Sequence, residues 1–224
     1  MRAMRQAGAR RWWCLGDLVG YGADPTYCLG LCISEAERCL AGNHDLGASE
    51  QIALDHFASW ARTSVEWTRQ VLGPVGRAKL DKLRPVDIEH DYPLYHASPR
   101  DPVWEYVLSN DQARAALEDR RVPLTCIGHT HVQSAWRLRP DGAVDAVPLA
   151  AGVTIEMADS RWLINPGSVG QPRDGDPRAA WALFDTEARS ITFRRTPYDV
   201  AAAQNAILEA GLPAILATRL SEGL

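Results

Sequence analysis

Leu15-Gly16-Asp17 closes a short apolar run, Trp12 to Leu15, and its reading decides the rest of the chain. Three later segments repeat the arrangement: Gly42-Asn43-His44-Asp45 after Cys39 to Ala41, His96 after Leu94 and Tyr95, and Gly128-His129-Thr130-His131 after Leu124 to Ile127. Each apolar run reads as a strand, and each presents Asp, Asn or His where the strand stops. In an α/β sheet the strand C-termini share one edge, and ligands bind there. Four strands delivering such side chains to one edge predict a metal site.

Around these segments the chain alternates helix and strand. Met1 to Ala9 reads as the end of a helix with Gly8 near its C-cap, an unusual start because a crossover helix normally follows a strand. Asp24-Pro25 opens a helix running towards Glu37, an N-cap followed by proline at the first position. Ser49 is expected to begin a long helix carrying Ile52, Leu54, Phe57, Trp60, Val65 and Trp67, ended by Gly73-Pro74, with a shorter helix around Arg77 to Leu83 after it. Val86 to Tyr95 reads as strand with a turn at Asp91 to Pro93, and Ser109-Asn110 caps a helix through Leu117.

After His131 the pattern turns to short strands. Trp136 to Leu138 and Val144 to Val147 flank Pro140-Asp141-Gly142 as a hairpin, followed by Val153 to Met157, Arg161 to Ile164, Ala180 to Phe184 and Ile191 to Arg195. These are expected to form a second, largely antiparallel sheet. Val200 to Leu220 is helical with a break at Gly211-Leu212-Pro213.

Bulk composition excludes several classes. With 224 residues, 46% hydrophobic, 23% charged and a net charge of -4, the chain can bury a core and offers no dominant nucleic-acid surface. No apolar run reaches the roughly 20 residues that span a bilayer, and no signal peptide is visible, so a cytoplasmic protein is expected. Cys14, Cys28, Cys32, Cys39 and Cys126 form no CxxC pair and read as free thiols in a reducing compartment.

His129 and His131 stand two residues apart, so in extended chain both imidazoles point the same way and each can take one divalent ion. Asp17 can bridge two metals, Asn43 can donate its amide oxygen, and His44 is either a ligand or a general acid. His96 adds a further donor, whereas His56 and His90 fall outside the pattern. Two divalent ions ~3.5–4 Å apart generate a hydroxide nucleophile at neutral pH and neutralise phosphoryl oxygens, and Mn²⁺, Fe²⁺ or Zn²⁺ suits these mixed donors. The chemistry this site best serves is phosphoester hydrolysis.

Gly16-Asp17, Gly42-Asn43-His44-Asp45 and Gly128-His129-Thr130-His131, in this order, resemble the calcineurin-like metallophosphoesterase superfamily, and most closely its small bacterial and archaeal phosphodiesterase branch. Gly16 to Gly22, His96-Ala97-Ser98-Pro99, Asn165 to Gly170 and Tyr198-Asp199 resemble that branch too, so the likeness covers nearly the whole chain. It implies a single domain over residues 1–224 with a four-layer α/β/β/α sandwich of two mixed sheets and two metals between the sheet edges. By motif, Asp17 would bridge the metals. Asn43, His96 and His129 would complete one site and His131 would belong to the other. His44 would assist at the leaving-group or phosphoryl oxygen, with Asp45 orienting it. Arg173 is a candidate for phosphate contact, and a small phosphoester or nucleotide-type molecule is the expected substrate.

Two departures qualify the resemblance. Protein Ser/Thr phosphatases of the superfamily carry Asp-Arg after their Gly-Asp-x-Val segment and Glu after Asn-His; Gly20-Tyr21-Gly22 and Asp45 stand here instead. Family members also begin with a strand ending in Asp-x-His, and no such motif precedes Asp17. The expectation is a first strand missing through truncation, partial or single metal occupancy, and homo-oligomers formed through the unpaired strand edge. The alternative function is a catalytically impaired protein-interaction module, which the retromer subunit of this superfamily resembles. His44 in Gly-Asn-His-Asp argues for the enzyme.

Overall fold

The alternation after His131 sorts side chains cleanly between two faces of one sheet in the computed structural model, which describes residues 1–118 and 121–224. In β6 (Gln133–Leu138) Ala135 points one way while Trp136 and Leu138 point the other. In β9 (Arg161–Pro166) Trp162 and Ile164 share the face of Ala135, and Leu163 that of Trp136. The period of two is what a strand with both faces covered requires. These strands belong to a six-stranded mixed sheet with β3 (Val86–Asp87), β4 (Leu94–Tyr95), β5 (Leu124–Cys126) and β7 (Val144–Ala146), in the order β3-β4-β5-β9-β6-β7. β4, β5 and β9 run parallel, and the outer pairs antiparallel.

One face of this sheet packs under α5 (Asn110–Leu117) through Ala113, Ala116 and Leu117. The other packs on a three-stranded antiparallel sheet, β10-β11-β8, formed by β8 (Thr154–Glu156), β10 (Ala179–Asp185) and β11 (Ser190–Thr196). Ile155, Ile191 and Phe193 meet Leu124, Trp162 and Ile164 there. The expected second sheet is therefore smaller than the alternation suggested, because β6, β7 and β9 join the first. β9 runs antiparallel to β6 and parallel to β5, and this pairing between segments some 30 residues apart leaves no mark in either strand's pattern.

β1 (Trp13–Cys14) and β2 (Arg38–Cys39) stand apart as a parallel pair. Arg38 fastens the pair to the large sheet: Nε meets Asp87 Oδ2 at 2.7 Å, Nη1 donates to Tyr92 O at 2.8 Å, and Nη2 to Asp87 O at 3.0 Å. A guanidinium this buried needs those partners, and its fork supplies them at once. α2 (Pro25–Glu35), α3 (Asn43–Ala48) and α4 (Ser59–Leu80) cover the pair with Leu29, Ala48, Ala61, Val65 and Leu72. α1 (Arg2–Gln6), α6 (Val200–Glu209) and α7 (Ala214–Glu222) complete the chain, and Leu212, Leu216 and Leu220 bury against Trp60 and Tyr21.

Most caps match the expectation. Asp24 accepts from Tyr27 N at 3.2 Å and Ser109 from Gln112 N at 3.3 Å. Gly73 breaks α4 at φ 56, ψ -170, and Pro74 starts the turns beyond it. The long helix begins at Ser59 and not at Ser49, because residues 43–48 already form α3 and the chain must turn before the next helix. His56 consequently lies in that turn, its ring edge-on to Trp104. Among the described residues no helix is long and apolar enough to cross a membrane.

Candidate metal centre

The strand-end segments converge. Asp17 follows β1, Asn43 opens α3 just beyond β2, His96 follows β4, and His129 and His131 follow β5. Asp17 (φ 55), His129 (φ 62) and His131 (φ 60) all sit in the left-handed region, where a side chain costs about 1–3 kcal/mol each. Such strain is tolerated where surrounding contacts fix it. Asn165 provides part of that fixing: Nδ2 donates to Gly128 O at 2.6 Å and Thr130 Oγ1 at 2.9 Å, and Oδ1 accepts from Gly167 N at 2.9 Å. The Asn165 to Gly170 turn thus holds the histidine loop from behind.

Ligating atoms of Asp17, His96 and His129 all lie within 4.8 Å of one another. His96 Nε2 is 3.3 Å from Asn43 Oδ1, 3.1 Å from His129 Nδ1 and 3.7 Å from Asp17 Oδ1. On the other side of the carboxylate, His131 Nε2 is 3.3 Å from Asp17 Oδ2. Asp17 therefore turns one oxygen to each group of donors.

Backbone carbonyls settle the imidazole tautomers. His96 Nδ1 stands 2.7 Å from Leu15 O, and His131 Nδ1 2.8 Å from Gln171 O. A carbonyl oxygen only accepts, so both Nδ1 atoms carry a proton, and in the neutral ring the Nε2 lone pair faces inwards. What they face is Asn43 Oδ1 and the two Asp17 oxygens, which are acceptors as well. Buried lone pairs aimed at one another repel unless a cation lies among them, and a carbonyl behind each ring is the usual support of a ligating histidine. The donor set fits divalent ions of the Mn²⁺, Fe²⁺ and Zn²⁺ type.

Electrostatics agree with that reading. Burial pushes His129 down to about 3, with His96 opposite adding to it, and burial likewise lowers His131 and takes His44 to about 4. All three rings are neutral at pH 7 and keep a lone pair to give. Burial would raise the Asp17 carboxyl, but His96, His131 and His44 around it hold it well below the carboxylate range.

His44 lies flat on Tyr21, ring centroids 4.0 Å apart, with its Nδ1 buried against Gly20 and, among the described residues, without a hydrogen-bond partner. Asp45 does not act on it. Its oxygens accept from Leu18 N at 3.1 Å, Val19 N at 3.1 Å and Gly42 N at 2.8 Å, so this carboxylate ties the Asp17 loop to the Asn43 loop. The expected role of orienting His44 is corrected accordingly: among the described residues the donors to the carboxylate are these three backbone N–H groups, and the imidazole is not one of them. Burial, then the nearby Asp17 charge, push the Asp45 carboxyl up against those donors.

Arg173 reaches the same place. Its Nη2 donates to Tyr21 OH at 3.2 Å and Gln171 Oε1 at 3.0 Å, and Tyr21 OH donates to Asp17 Oδ2 at 3.2 Å. Tyr21 and Tyr106 went unassigned by sequence reasoning. Tyr21 lies four residues after Asp17 inside a recognised segment, a signal that was available; Tyr106, stacked on His129 at 4.3 Å and 13°, lies near no motif at all. His90 bonds Asp87 away from the centre, as its position outside the pattern suggested.

Sheets packed face to face, with oxygen and imidazole donors gathered beyond the strand ends, are the build of a metallophosphoesterase. The profile of the calcineurin-like phosphoesterase superfamily domain matches residues 1–189, and the chain belongs to that superfamily. An uncharacterized protein of Methanocaldococcus jannaschii is 32% identical over 228 residues, spanning 98% of this chain and 89% of its own length. The crystal structure of a metallophosphoesterase from Sphaerobacter thermophilus superposes with a TM-score of 0.85 at 37% identity, covering 100% of this chain and 93% of that one. A hypothetical protein from Pyrococcus horikoshii OT3 shares the fold, with a TM-score of 0.77 at 15% identity over 100% of this chain and 90% of its own. Membership supports metal-dependent phosphoester hydrolysis, and Asp17, His96 and His129 are placed where they could hold a metal ion.

Proposed function

We propose that the protein is a metal-dependent phosphodiesterase for small phosphoester or nucleotide-type substrates. The observation that carries this is the inward convergence of His96 Nε2, His131 Nε2, Asn43 Oδ1 and both Asp17 oxygens, with His129 Nδ1 beside them. Asp17, Asn43, His96 and His129 would hold one divalent ion, and Asp17 with His131 would face a second. Bound cations would supply an activated water and neutralise phosphoryl charge.

The remaining residues bind and orient. Arg173, held by Tyr21 and Gln171, offers guanidinium donors to a phosphoryl oxygen. His44, with Nδ1 turned into the protein, keeps Nε2 for the phosphoryl or leaving-group oxygen, and as a neutral ring protonated at Nε2 it donates there. Tyr21 under the ring fixes its plane. Gly20-Tyr21-Gly22 and Asp45, in place of the protein-phosphatase signature, favour diesters over phosphoproteins.

The test is hydrolysis of a chromogenic phosphodiester and a phosphomonoester with added Mn²⁺, beside a chelator and Asp17→Asn. Faster turnover of the diester, lost with either control and restored by Mn²⁺ in the wild type, is expected. A folded protein that binds Mn²⁺ yet turns over neither substrate would overturn the enzyme reading in favour of an interaction module.

A further inference from the structure

We propose that Cys14, Cys32 and Cys39 form a second cation site, a thiol triad that takes a thiophilic d¹⁰ cation of the Zn²⁺ or Cd²⁺ class. Their sulfurs all lie within 4.8 Å of one another. Three sulfurs on one ion at a Zn–S distance of ~2.3 Å stand about 4 Å apart, so the triad closes on an ion by shifts of well under about 1 Å. Three different elements contribute. Cys14 and Cys39 are register partners on β1 and β2, which puts both side chains on the same side of the parallel pair, and α2 crosses that side with Cys32.

None of the five cysteines is in a disulfide. Besides hydrogen bonds among the three thiols themselves, Cys14 and Cys39 make long contacts, both 3.9 Å, to Gly16 O and Leu40 O, weak bonds that a metal would displace. The donor type separates this site from the catalytic one. Sulfur selects soft cations, while the carboxylate, amide and imidazole donors around Asp17 suit harder ones.

Placement gives the site a consequence. β1 and β2 are two residues each, and Asp17 and Asn43 follow them by three and four residues. An ion bridging β1, β2 and α2 fastens the strand ends from which both residues extend.

Cadmium distinguishes the two sites, because only sulfur ligands give the ultraviolet sulfur-to-cadmium charge-transfer band. Metal-free, reduced protein titrated with Cd²⁺ is expected to develop a band saturating at one equivalent. Asp17→Asn and Cys28→Ser should retain it, Cys28 being the exposed thiol outside the triad. Cys32→Ser should diminish the band and weaken Cd²⁺ by more than the roughly 10–100-fold that losing an outer partner costs. Alkylation mapped by mass spectrometry gives a second reading on the wild type alone: Cd²⁺ should shield Cys14, Cys32 and Cys39 together. No band in folded wild type, a band that Cys32→Ser leaves intact, or shielding that omits any of the three overturns the proposal. None of these readouts uses phosphoesterase activity, so this site and the catalytic reading can fail separately.

Discussion

Gly42→Ala tests whether the Asp17 carboxylate must stand where it does. Gly42 has φ -90 and ψ 176, a conformation open to any residue, so alanine brings no backbone strain. Its Cβ, however, would stand 2.0 Å from Asp17 Oδ1 and 2.4 Å from Asp17 N, where real contacts stay beyond 3.0 Å. The carboxylate must retreat by about 1 Å, and the 2.4 Å approach to the backbone means that rotating the side chain alone cannot relieve the clash. Misplacing a reacting group by about 1 Å costs on the order of 10²-fold in rate, or roughly 2.7 kcal/mol of barrier. Because Asp17 faces both donor groups, Mn²⁺ affinity should fall with kcat. The assay is Mn²⁺-dependent diester hydrolysis together with Mn²⁺ titration, with circular dichroism confirming the fold. Gly30→Ala is the control: it lies inside α2 with nothing within 4 Å of its Cβ. It should leave kcat unchanged and raise stability by ~0.8–1 kcal/mol. A folded Gly42→Ala protein with wild-type kcat and Mn²⁺ affinity would refute the reasoning.

Other outcomes follow from the same contacts. Asn165→Ala strips the Gly128 carbonyl and Thr130 hydroxyl of a donor and should cost about 1–3 kcal/mol in urea unfolding while weakening Mn²⁺ binding; unchanged Mn²⁺ affinity would show that the histidine loop holds itself. Tyr106→Ala removes the ring stacked on His129 and should weaken Mn²⁺ by roughly 10-fold, with Tyr106→Phe restoring it, as isothermal titration would read. Asp87 gives a pH signature. Burial would raise its carboxyl, but the Arg38 hydrogen bond and then His90 bring it to about 2 from an ordinary 3.8. A carboxyl lowered on folding stabilises above its unfolded value and ceases to as pH falls through the folded one. The stability gap between wild type and Asp87→Asn should therefore be present at pH 6, amount to about 1 kcal/mol after solvent screening, and shrink between about pH 4 and 2. A gap constant across that range would contradict the assignment.

The sequence by itself marked the residues that gather at the centre. Asp17, Asn43, His96 and His129 each end a local apolar run or follow a glycine, with His44 and His131 one and two residues further on, and local signals of this kind are written within a few residues. The same locality made the Asp24 and Ser109 caps and the Gly73-Pro74 break legible. Tertiary structure alone decided what lies far apart along the chain. β9 slips between β5 and β6, Tyr106 lands on His129, and Asp45 spends its oxygens on the Asp17 loop and Gly42 where the motif suggested His44. Cys14, Cys32 and Cys39, with no recognisable spacing, meet only because a parallel register and a crossing helix bring them together. The division has one physical cause: hydrophobic period and backbone preference act between neighbours, whereas strand order and side-chain partners are chosen by how whole elements bury their faces against one another.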